Sequence, residues 1–368
     1  MKKYSKVLVL VIFIATLSAA AEINWPRWRG PDTNGTMTSG DYPVTWDPDK
    51  VLWKTDVPGK GTSTPIVWNN RIYLTTGTKK SDTVLALDGS GQPLWQRQLG
   101  SETAGKHQNA SGSNPSPVTD GSAVFAFFKS GNFAALEVDG SVRWQTNLFE
   151  RYGKDERYWD FGTSPVLTKK AVVMVHMHEG DSWLAAFDKV TGDVSWKVAR
   201  NYKTATEGRQ GYSTPIVFSH KGTEALLVWG GHRLTAHDAV DGKIIWSCGD
   251  FNPDGTRMWP SVASPMIAGQ VAVVPCGRDD RRQPRLHGIK MGGSGDVTAT
   301  HRLWKRTDTG PFIPCPTVDE GRAYVICDRG RMDCINPVTG ESFWTGQFPK
   351  SSSKFYASPL IAGGHLYA

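Results

Sequence analysis

One hairpin unit recurs along nearly the whole chain and constrains its fold more than any other feature. The clearest copy runs from Ala186 to Trp196, with Asp188 and Gly192 in its turn. The Asp carboxylate can accept backbone N–H bonds, and Gly supplies the positive φ that a tight hairpin with a bulge needs. Val194 and Trp196 then fall on one side of the second strand, because side chains alternate along a strand. The unit is therefore predicted to be a bulged β-hairpin that ends in an aromatic anchor, with the small Ala opposite the large Trp.

Two sequence marks alternate at a period of roughly 50 residues, which is the range of propeller blades. The first mark is Ser or Thr before Pro at the start of a strand, with Cys315 as a variant: Thr64, Ser116, Ser164, Thr214, Ser264, Cys315 and Ser358. The second is a Trp that closes each hairpin and is predicted to lock one blade to the next: Trp53, Trp95, Trp144, Trp196, Trp246, Trp304 and Trp344. Each unit has room for four short strands, and long helical periodicity is absent. The chain is therefore predicted to be an all-β propeller of four-stranded blades.

The two ends of the repeat array differ from its middle. Trp53 closes a blade that has no earlier strands, and Ser358 opens a blade that is not finished. We expect the Trp53 strand to complete the last blade and seal the ring. We hypothesise that the chain is incomplete at its C-terminus. The predicted organisation is a signal peptide at 1–21, an N-terminal segment at 22–51 and the propeller at 52–368.

The first residues have the pattern of an export signal. Lys2 and Lys3 precede an apolar run, and small residues follow it up to Ala21, so we expect cleavage after Ala21 and a periplasmic or extracellular protein. An uncleaved N-terminal anchor is the alternative. No later stretch is apolar enough to span a membrane. The formal net charge is +7, part of it in the leader, and no nucleic-acid motif accompanies it.

The cysteines predict little chemistry. There are five, an odd number that leaves at least one free thiol, and no Cys-x-x-Cys occurs, which disfavours zinc or redox sites. Cys327 and Cys334 flank a turn and could form a disulfide across a hairpin, with buried free thiols as the alternative.

The repeat resembles the pyrroloquinoline quinone (PQQ) repeat, Ala-x-Asp-x-x-Thr-Gly-x-x-x-Trp. The resemblance covers roughly residues 25–368, and the opening Trp25-Pro26-Arg27-Trp28-Arg29-Gly30-Pro31 is similar to exported PQQ-binding-like β-propeller repeat proteins. It implies eight blades in the full-length protein, with seven as the alternative. PQQ alcohol dehydrogenases hold the quinone and Ca²⁺ over the channel with an Asp base and commonly an adjacent Cys pair. No two cysteines are adjacent here, and no position maps onto the Asp base.

The loops between blades, and those between the second and third strands of a blade, are predicted to converge on one mouth of the channel, away from the Asp-x-x-Thr-Gly turns. They are rich in arginine and aromatic residues, which recognise carboxylates, phosphates and protein surfaces. Solvated, internally paired loops are the alternative. The candidate recognition face comprises His107, Asn109, Arg151, Tyr152, Arg157, Trp159, Arg209, Tyr212, Arg233, Trp259, Arg278, Arg281, Arg282 and Arg329.

Catalytic residues are not identifiable from the sequence. His176 and His178 fall on one side of a strand and could supply two metal ligands, but no third ligand is evident, so no metal site is predicted. A carbohydrate-binding or hydrolytic propeller that uses channel carboxylates is a third hypothesis, but no convincing carboxylate pair supports it. We favour a non-enzymatic exported scaffold that binds a protein or an anionic polymer, without nucleic acid or a cofactor. The resemblance makes it similar to the outer-membrane β-barrel assembly lipoprotein, although the lipobox Cys is missing. A PQQ- and calcium-dependent oxidoreductase is the alternative.

Overall fold

The computed structural model describes residues 24–349, 351 and 353–368, so the predicted signal peptide at 1–21 lies outside the described residues. Six sheets, each built on four antiparallel strands, follow one another along the chain, and a three-stranded sheet follows them. The fourth of the six also has a short fifth strand, which is parallel to its neighbour. This arrangement confirms the predicted β-propeller of four-stranded blades. We number the six complete sheets as blades 1 to 6 in chain order and call the three-stranded one the last sheet.

The first part of the chain contains a short strand and three blades. Strand β1 is Thr36–Met37, and a 3-10 helix follows at Pro48–Lys50. Blade 1 comprises β2 to β5: Ile66–Trp68, Arg71–Thr78, Ser81–Asp88 and Pro93–Ser101. Blade 2 comprises β6 to β9: Val118–Thr119, Ala123–Phe127, Asn132–Glu137 and Val142–Asn147, followed by helix α1, Leu148–Tyr152. Blade 3 comprises β10 to β13: Val166–Leu167, Ala171–His176, Trp183–Asp188 and Val194–Ala199.

The second part contains three further blades and the last sheet. Blade 4 comprises β14 to β17: Ile216–His220, Thr223–Gly230, Arg233–Asp238 and Ile244–Cys248. Blade 5 begins with β18 to β20, Met266–Ala268, Val271–Pro275 and Leu286–Lys290, with a 3-10 helix at Asp279–Arg281. An insertion then forms β21, Gly295–Asp296, and α2, Thr298–His301, before β22, Arg302–Arg306, completes the blade. Blade 6 comprises β23 to β26: Thr317–Asp319, Arg322–Ile326, Arg331–Ile335 and Ser342–Gln347. The last sheet orders β1, β27 (Leu360–Ala362) and β28 (His365–Tyr367). The prediction that a strand at Trp53 completes this sheet is wrong: the chain forms no strand at Trp53, and β1 pairs with β27 instead.

The hairpin between β12 and β13 has the geometry that its sequence predicts. Ala186 lies directly opposite Trp196, and the register shifts at the next residue, as a β-bulge does. Asp188 Oδ1 accepts the backbone N–H groups of Val190 and Thr191 at 2.7 and 2.9 Å. The φ of Gly192 is +76°, in the left-handed region that Gly adopts readily. Equivalent small-residue and Trp pairs occur in all the other complete blades.

The closing tryptophans pack on the turn of the following blade. Trp196 Nε1 donates to the carbonyl oxygen of Ala239 at 3.1 Å. A Cβ on Gly242, in the same turn, would lie 2.5 Å from the Trp196 ring. Glycine is thus required in this turn for two reasons: its backbone has positive φ, and a side chain would clash with the Trp ring that covers it. Analogous N–H···O bonds of 2.8–3.1 Å are made by Trp53, Trp95, Trp144 and Trp304. Trp246 is instead fully buried, and Trp344 is 45% exposed.

A ladder of hydrogen bonds joins the blades around the channel. In each case the residue before Pro donates its backbone N–H to the side chain at the equivalent position of the next blade, at 2.9–3.1 Å. The donors from Thr64 to Cys315 reach, in turn, Ser116, Ser164, Thr214, Ser264, Cys315 and Ser358. Proline holds the preceding residue extended, which leaves this N–H free to point sideways. The Ser/Thr-Pro mark is therefore an interblade connection, and we call it the interblade ladder.

The N-terminal segment crosses the channel at the end opposite the convergent loops. Trp25 pairs with Val67 in β2, and β1 then lies parallel to β27 in the last sheet. Between them the fully buried guanidinium of Arg29 donates to the carbonyl oxygens of Pro359 and Pro316 at 2.8 and 2.9 Å. Burial lowers the pKa of Arg29 to about 10, which leaves it cationic at neutral pH.

The core consists of apolar clusters between neighbouring blades. Phe133 of blade 2, for example, packs edge-on against Phe187 of blade 3, with ring centroids 5.4 Å apart. All five cysteines are buried free thiols, so the possible Cys327–Cys334 disulfide is absent. Among the described residues, no helix has the length and apolar character needed to cross a membrane.

Candidate functional site

A cavity of about 530 Å³ lies in the channel and opens toward the convergent loops. Every member of the interblade ladder borders it, and so does the residue two positions before each of them. These lining residues are Thr62, Asn114, Gly162, Tyr212, Val262, Ile313 and Tyr356. These positions share the lining because alternate residues of an extended segment point to the same side. The sequence therefore contained a signal for the lining that our sequence analysis did not use.

Trp28 borders the ladder end of the cavity. It belongs to the N-terminal segment that crosses the channel, and it also packs against the apolar cluster of blades 4 to 6. Because that segment covers the channel opposite the loops, the cavity has a floor rather than a second mouth. Trp28 belongs to the family's opening motif in the sequence, and no repeat predicts its position in the cavity.

Asp160 forms one charged wall of the cavity. It pairs with the buried ammonium group of Lys129, and its Oδ2 accepts the backbone N–H groups of Lys106 and His107 at 2.9 and 3.0 Å. Burial favours the neutral acid, but these hydrogen bonds outweigh it and lower the pKa of Asp160. Asp160 is therefore an anion whose charge is already compensated.

Arg278 and Asp280 form a second compensated pair. Nε and one terminal nitrogen of Arg278 donate to the two oxygens of Asp280, both at 2.8 Å. The guanidinium also lies 3.9 Å above the ring centre of Phe312. The ion pair outweighs the effect of burial and lowers the pKa of Asp280. Neither carboxylate of the cavity has the raised pKa that a general acid would need at neutral pH.

The structure brings a third candidate metal ligand, Asp155, beside His176 and His178. The two imidazoles stack with centroids 3.9 Å apart. However, His178 Nδ1 accepts the backbone N–H of Glu156, while its Nε2 lies 3.1 Å from the Asp181 carbonyl oxygen. The proton must then be on Nε2, and His178 has no free lone pair for a metal. The cluster therefore suits a structural role in the loop more than metal binding.

The predicted recognition residues divide into four groups. Lining the cavity are His107, Asn109, Trp159, Tyr212 and Arg278. Exposed on the surrounding loops are Arg151, Arg209, Arg281, Arg282 and Arg329. Partly buried are Tyr152 and Arg233, and buried are Arg157 and Trp259.

The buried residues of the fourth group act within the scaffold. Arg157 donates to Asp155 at 2.9 Å and lies 3.6 Å above the ring centre of Phe161. Trp259 Nε1 donates to the carbonyl oxygen of Cys276. Both side chains are almost fully buried, at 3% and 4% exposure. The alternative of internally paired loops thus describes these two residues, as it does Arg278, which pairs with Asp280, and Arg209, which donates to the carbonyl oxygen of Glu179 at 3.1 Å.

Beside the cavity mouth, a shallow depression of about 680 Å³ lies between the loops of blades 2, 3 and 4. Tyr158 and Trp159 form one side, with rings edge-on and centroids 4.8 Å apart. Three carboxylates, those of Glu156, Glu179 and Glu207, border the same depression. We call this surface, together with Arg281 and Arg282, the rim.

These features define a class: a repeat-built β-propeller whose channel is closed at one end and open to a rim of loops at the other. The sequence matches the family described as outer membrane protein assembly factor BamB over residues 36–179 and 159–276. The chain belongs to this family.

A solved structure shows the same fold. BamB from Moraxella catarrhalis aligns with a TM-score of 0.52 at 14% identity, covering 79% of this chain and 73% of that one. A europium-containing methanol dehydrogenase gives 0.49 at 10% identity, covering 92% of this chain and 87% of that chain. A quinohemoprotein alcohol dehydrogenase from Comamonas testosteroni gives 0.46 at 11%, covering 95% of this chain and 77% of that chain. No curated protein matches the sequence significantly.

The cavity residues do not fit a quinone held with calcium. Calcium requires six to eight oxygen ligands, usually with several carboxylates. The two cavity carboxylates, Asp160 and Asp280, are already held by Lys129 and Arg278. A calcium ion would have to displace a buried or half-buried cation at either position. We therefore derive no reaction through this cofactor.

Proposed function

We propose that this protein is a non-enzymatic scaffold, located outside the cytoplasm, that binds a protein partner through the rim. The observation that carries the proposal is the pair of exposed aromatic side chains that borders the depression, on the face whose loops also carry exposed arginines. Tyr158 is 60% exposed and Trp159 is 44% exposed. Such side chains supply rigid contact area and are enriched at the centres of protein interfaces.

The arginines of the rim add free charge. Arg281 and Arg282 are exposed, and no carboxylate of the described residues lies within 4.0 Å of either. Arg282 has a φ of +61° at the end of the 3-10 helix Asp279–Arg281, which holds both side chains on one short turn. Arginine offers bidentate donors to a partner carboxylate, so we expect it to select an acidic segment.

A protein fits the rim better than an anionic polymer does. The carboxylates of Glu156, Glu179 and Glu207 border the depression beside the aromatic pair, and they would repel a uniformly negative chain. Glu207 is also within range of the charges of Arg278 and Arg281, although burial dominates and raises its pKa. A surface of mixed charge with aromatic anchors matches a protein whose own surface is mixed.

The test is affinity capture with the full chain and matched variants. The wild-type protein should retain a partner from the exported fraction, and Arg281→Glu combined with Arg282→Glu should lose it, because both changes place negative charge opposite an acidic segment. Tyr158→Ala should weaken retention tenfold or more, which corresponds to about 1.4 kcal/mol.

The control is Lys243→Glu, a single charge reversal on a side chain that is 81% exposed in a hairpin turn on the opposite face. Partners retained equally by all four proteins would contradict the proposal. A polyphosphate probe that binds more tightly than any protein, with steep salt dependence, would instead favour the anionic polymer.

The enzymatic alternative has its own experiment. The full chain is mixed with PQQ and Ca²⁺, and alcohol-dependent dye reduction is measured. Turnover would overturn the non-enzymatic proposal. Intact-mass measurement of the exported protein tests the predicted location, since it should show loss of residues 1–21.

A further inference from the structure

The interblade ladder leaves hydrogen-bonding capacity directed at the cavity. The hydroxyl oxygens of Ser116, Ser164, Thr214, Ser264 and Ser358 each accept one backbone N–H. The hydroxyls of Ser264 and Ser358 lie within hydrogen-bonding reach of the Cys315 sulfur, whereas within the described part of the chain those of Ser116, Ser164 and Thr214 donate to no acceptor. A hydroxyl carries one donor and two acceptor sites, so these three retain a free donor. All three border the cavity, and its deep end therefore carries several donors.

The walls supply further donors at fixed positions. Asn114 Oδ1 accepts the backbone N–H of Ser111 at 2.8 Å and the hydroxyl of Thr62, which fixes the orientation of the amide at the cavity wall. His107 Nδ1 accepts the backbone N–H of Asn109 at 3.1 Å. Its proton is therefore on Nε2, where it can be donated to a ligand. Both side chains are oriented before any ligand arrives, which reduces the entropy lost on binding.

Aromatic surfaces alternate with these polar groups. Trp28 forms the floor of the cavity. Tyr212 and Tyr356 line it two residues before the Ser/Thr-Pro marks of blade 4 and of the last sheet. The volume of about 530 Å³ falls in the range of small-molecule pockets, roughly 300–1,000 Å³. The cavity thus offers flat apolar faces together with many single hydrogen-bond donors.

The charge of the cavity selects against an ionic ligand. The charged groups deepest in the walls are already paired, Lys129 with Asp160 and Arg278 with Asp280. The nearby Lys354 lies 3.7 Å from Asp280 and has a side chain that is 45% exposed. A buried anion without a partner is unfavourable by several kcal/mol, and no unpaired buried cation borders the cavity among the described residues.

We propose that the central cavity binds a neutral polyhydroxylated ligand, the end of a glycan of one or two sugar rings. The hydroxyl oxygens of the sugar accept from the ladder hydroxyls, Asn114 and His107, while its C–H faces pack on the aromatic rings. This goes beyond the proposed protein partner, which contacts the rim and not the channel.

The experiment is calorimetric titration of the full chain with maltose, cellobiose, chitobiose and mannobiose, each up to about 10 mM, supported by saturation-transfer NMR. Glucuronic acid and citrate serve as charged probes. At least one neutral disaccharide should bind saturably, while the charged probes bind at least tenfold more weakly. Tyr356→Ala and Asn109→Ala remove exposed cavity contacts and should weaken sugar binding fivefold or more without changing the far-ultraviolet spectrum or the unfolding midpoint.

The matched control is Tyr158→Ala, which removes an exposed tyrosine of the rim and should leave sugar binding unchanged. The absence of saturable binding by all four disaccharides, or tighter binding of citrate than of any sugar, would overturn the proposal. Tyr158→Ala should weaken only binding of the protein partner, and Tyr356→Ala should weaken only binding of the sugar. Failure of either proposal can therefore be distinguished from failure of the other.

Discussion

The interblade ladder gives the sharpest test of what holds the blades together, and the substitution is Ser164→Ala. Ser164 is 3% exposed, and its hydroxyl oxygen accepts the backbone N–H of Ser116 at 3.0 Å. The change removes one oxygen and leaves that N–H buried without a partner. An unsatisfied buried donor is destabilising by about 1–3 kcal/mol. We expect the free energy of unfolding to fall by that amount.

Urea denaturation followed by tryptophan fluorescence measures the effect, with stability compared at constant m. Ser164→Cys is the matched variant, because Cys315 occupies the equivalent position and its sulfur accepts the N–H of Ser264 at 3.1 Å. It should lose less stability than Ser164→Ala. Ser195→Ala, on an exposed strand position, should be neutral. A stability loss below about 0.5 kcal/mol in Ser164→Ala, the range of ordinary surface substitutions, would refute the role assigned to the ladder.

Three further predictions concern a turn, a buried acid and the histidine cluster. Gly242→Ala should lower the free energy of unfolding more than Gly255→Ala in the same urea assay. Both glycines have positive φ, +73° and +60°, but only at Gly242 would the new Cβ meet Trp196, at 2.5 Å. Equal losses of stability in the two variants would contradict the docking of Trp196 on this turn. Burial raises the pKa of Asp328 from 3.8 to about 6, so the folded state binds a proton more tightly than the unfolded chain, and this residue's contribution to stability falls as pH rises from about 4 to 6. Asp328→Asn should therefore gain stability relative to wild type across that window, and a pH-independent difference would show that Asp328 does not titrate there. Added Zn²⁺ should not raise the thermal unfolding midpoint, because both ring nitrogens of His178 are engaged; a rise that His178→Ala abolishes would show that the cluster does bind metal.

The propeller could be predicted from the sequence because the residues of each repeat determine the hairpin geometry locally. Ala186 and Trp196 face each other as their spacing requires, and the same pair recurs blade after blade. The Ser/Thr-Pro mark was recognised only as the start of a strand. Its role as an interblade acceptor depends on the position of Ser164 beside Ser116, 48 residues away, which a local pattern does not reveal.

The site was less predictable, because its features depend on contacts between loops. Asp155 reaches His176 at 3.1 Å across a loop, and nothing in the spacing of these residues indicates that approach. The arginines of the loops look alike in the sequence, yet Arg157 is buried on Phe161 whereas Arg281 is exposed. Which arginine is paired depends on where the nearest carboxylate falls in three dimensions. Composition alone therefore overestimated the free positive charge of the face.

The path of the N-terminal segment has a consequence for how the molecule folds. Arg29 donates to the carbonyl oxygen of Pro359, which is 330 residues further along the chain, and β1 is hydrogen-bonded to β27. The part of the protein that is synthesised first cannot reach its final environment until the last sheet exists. Blades built from local hairpins can form early, whereas contacts of such large sequence separation form slowly. Closure of the channel floor should accordingly be the slow, final phase of refolding.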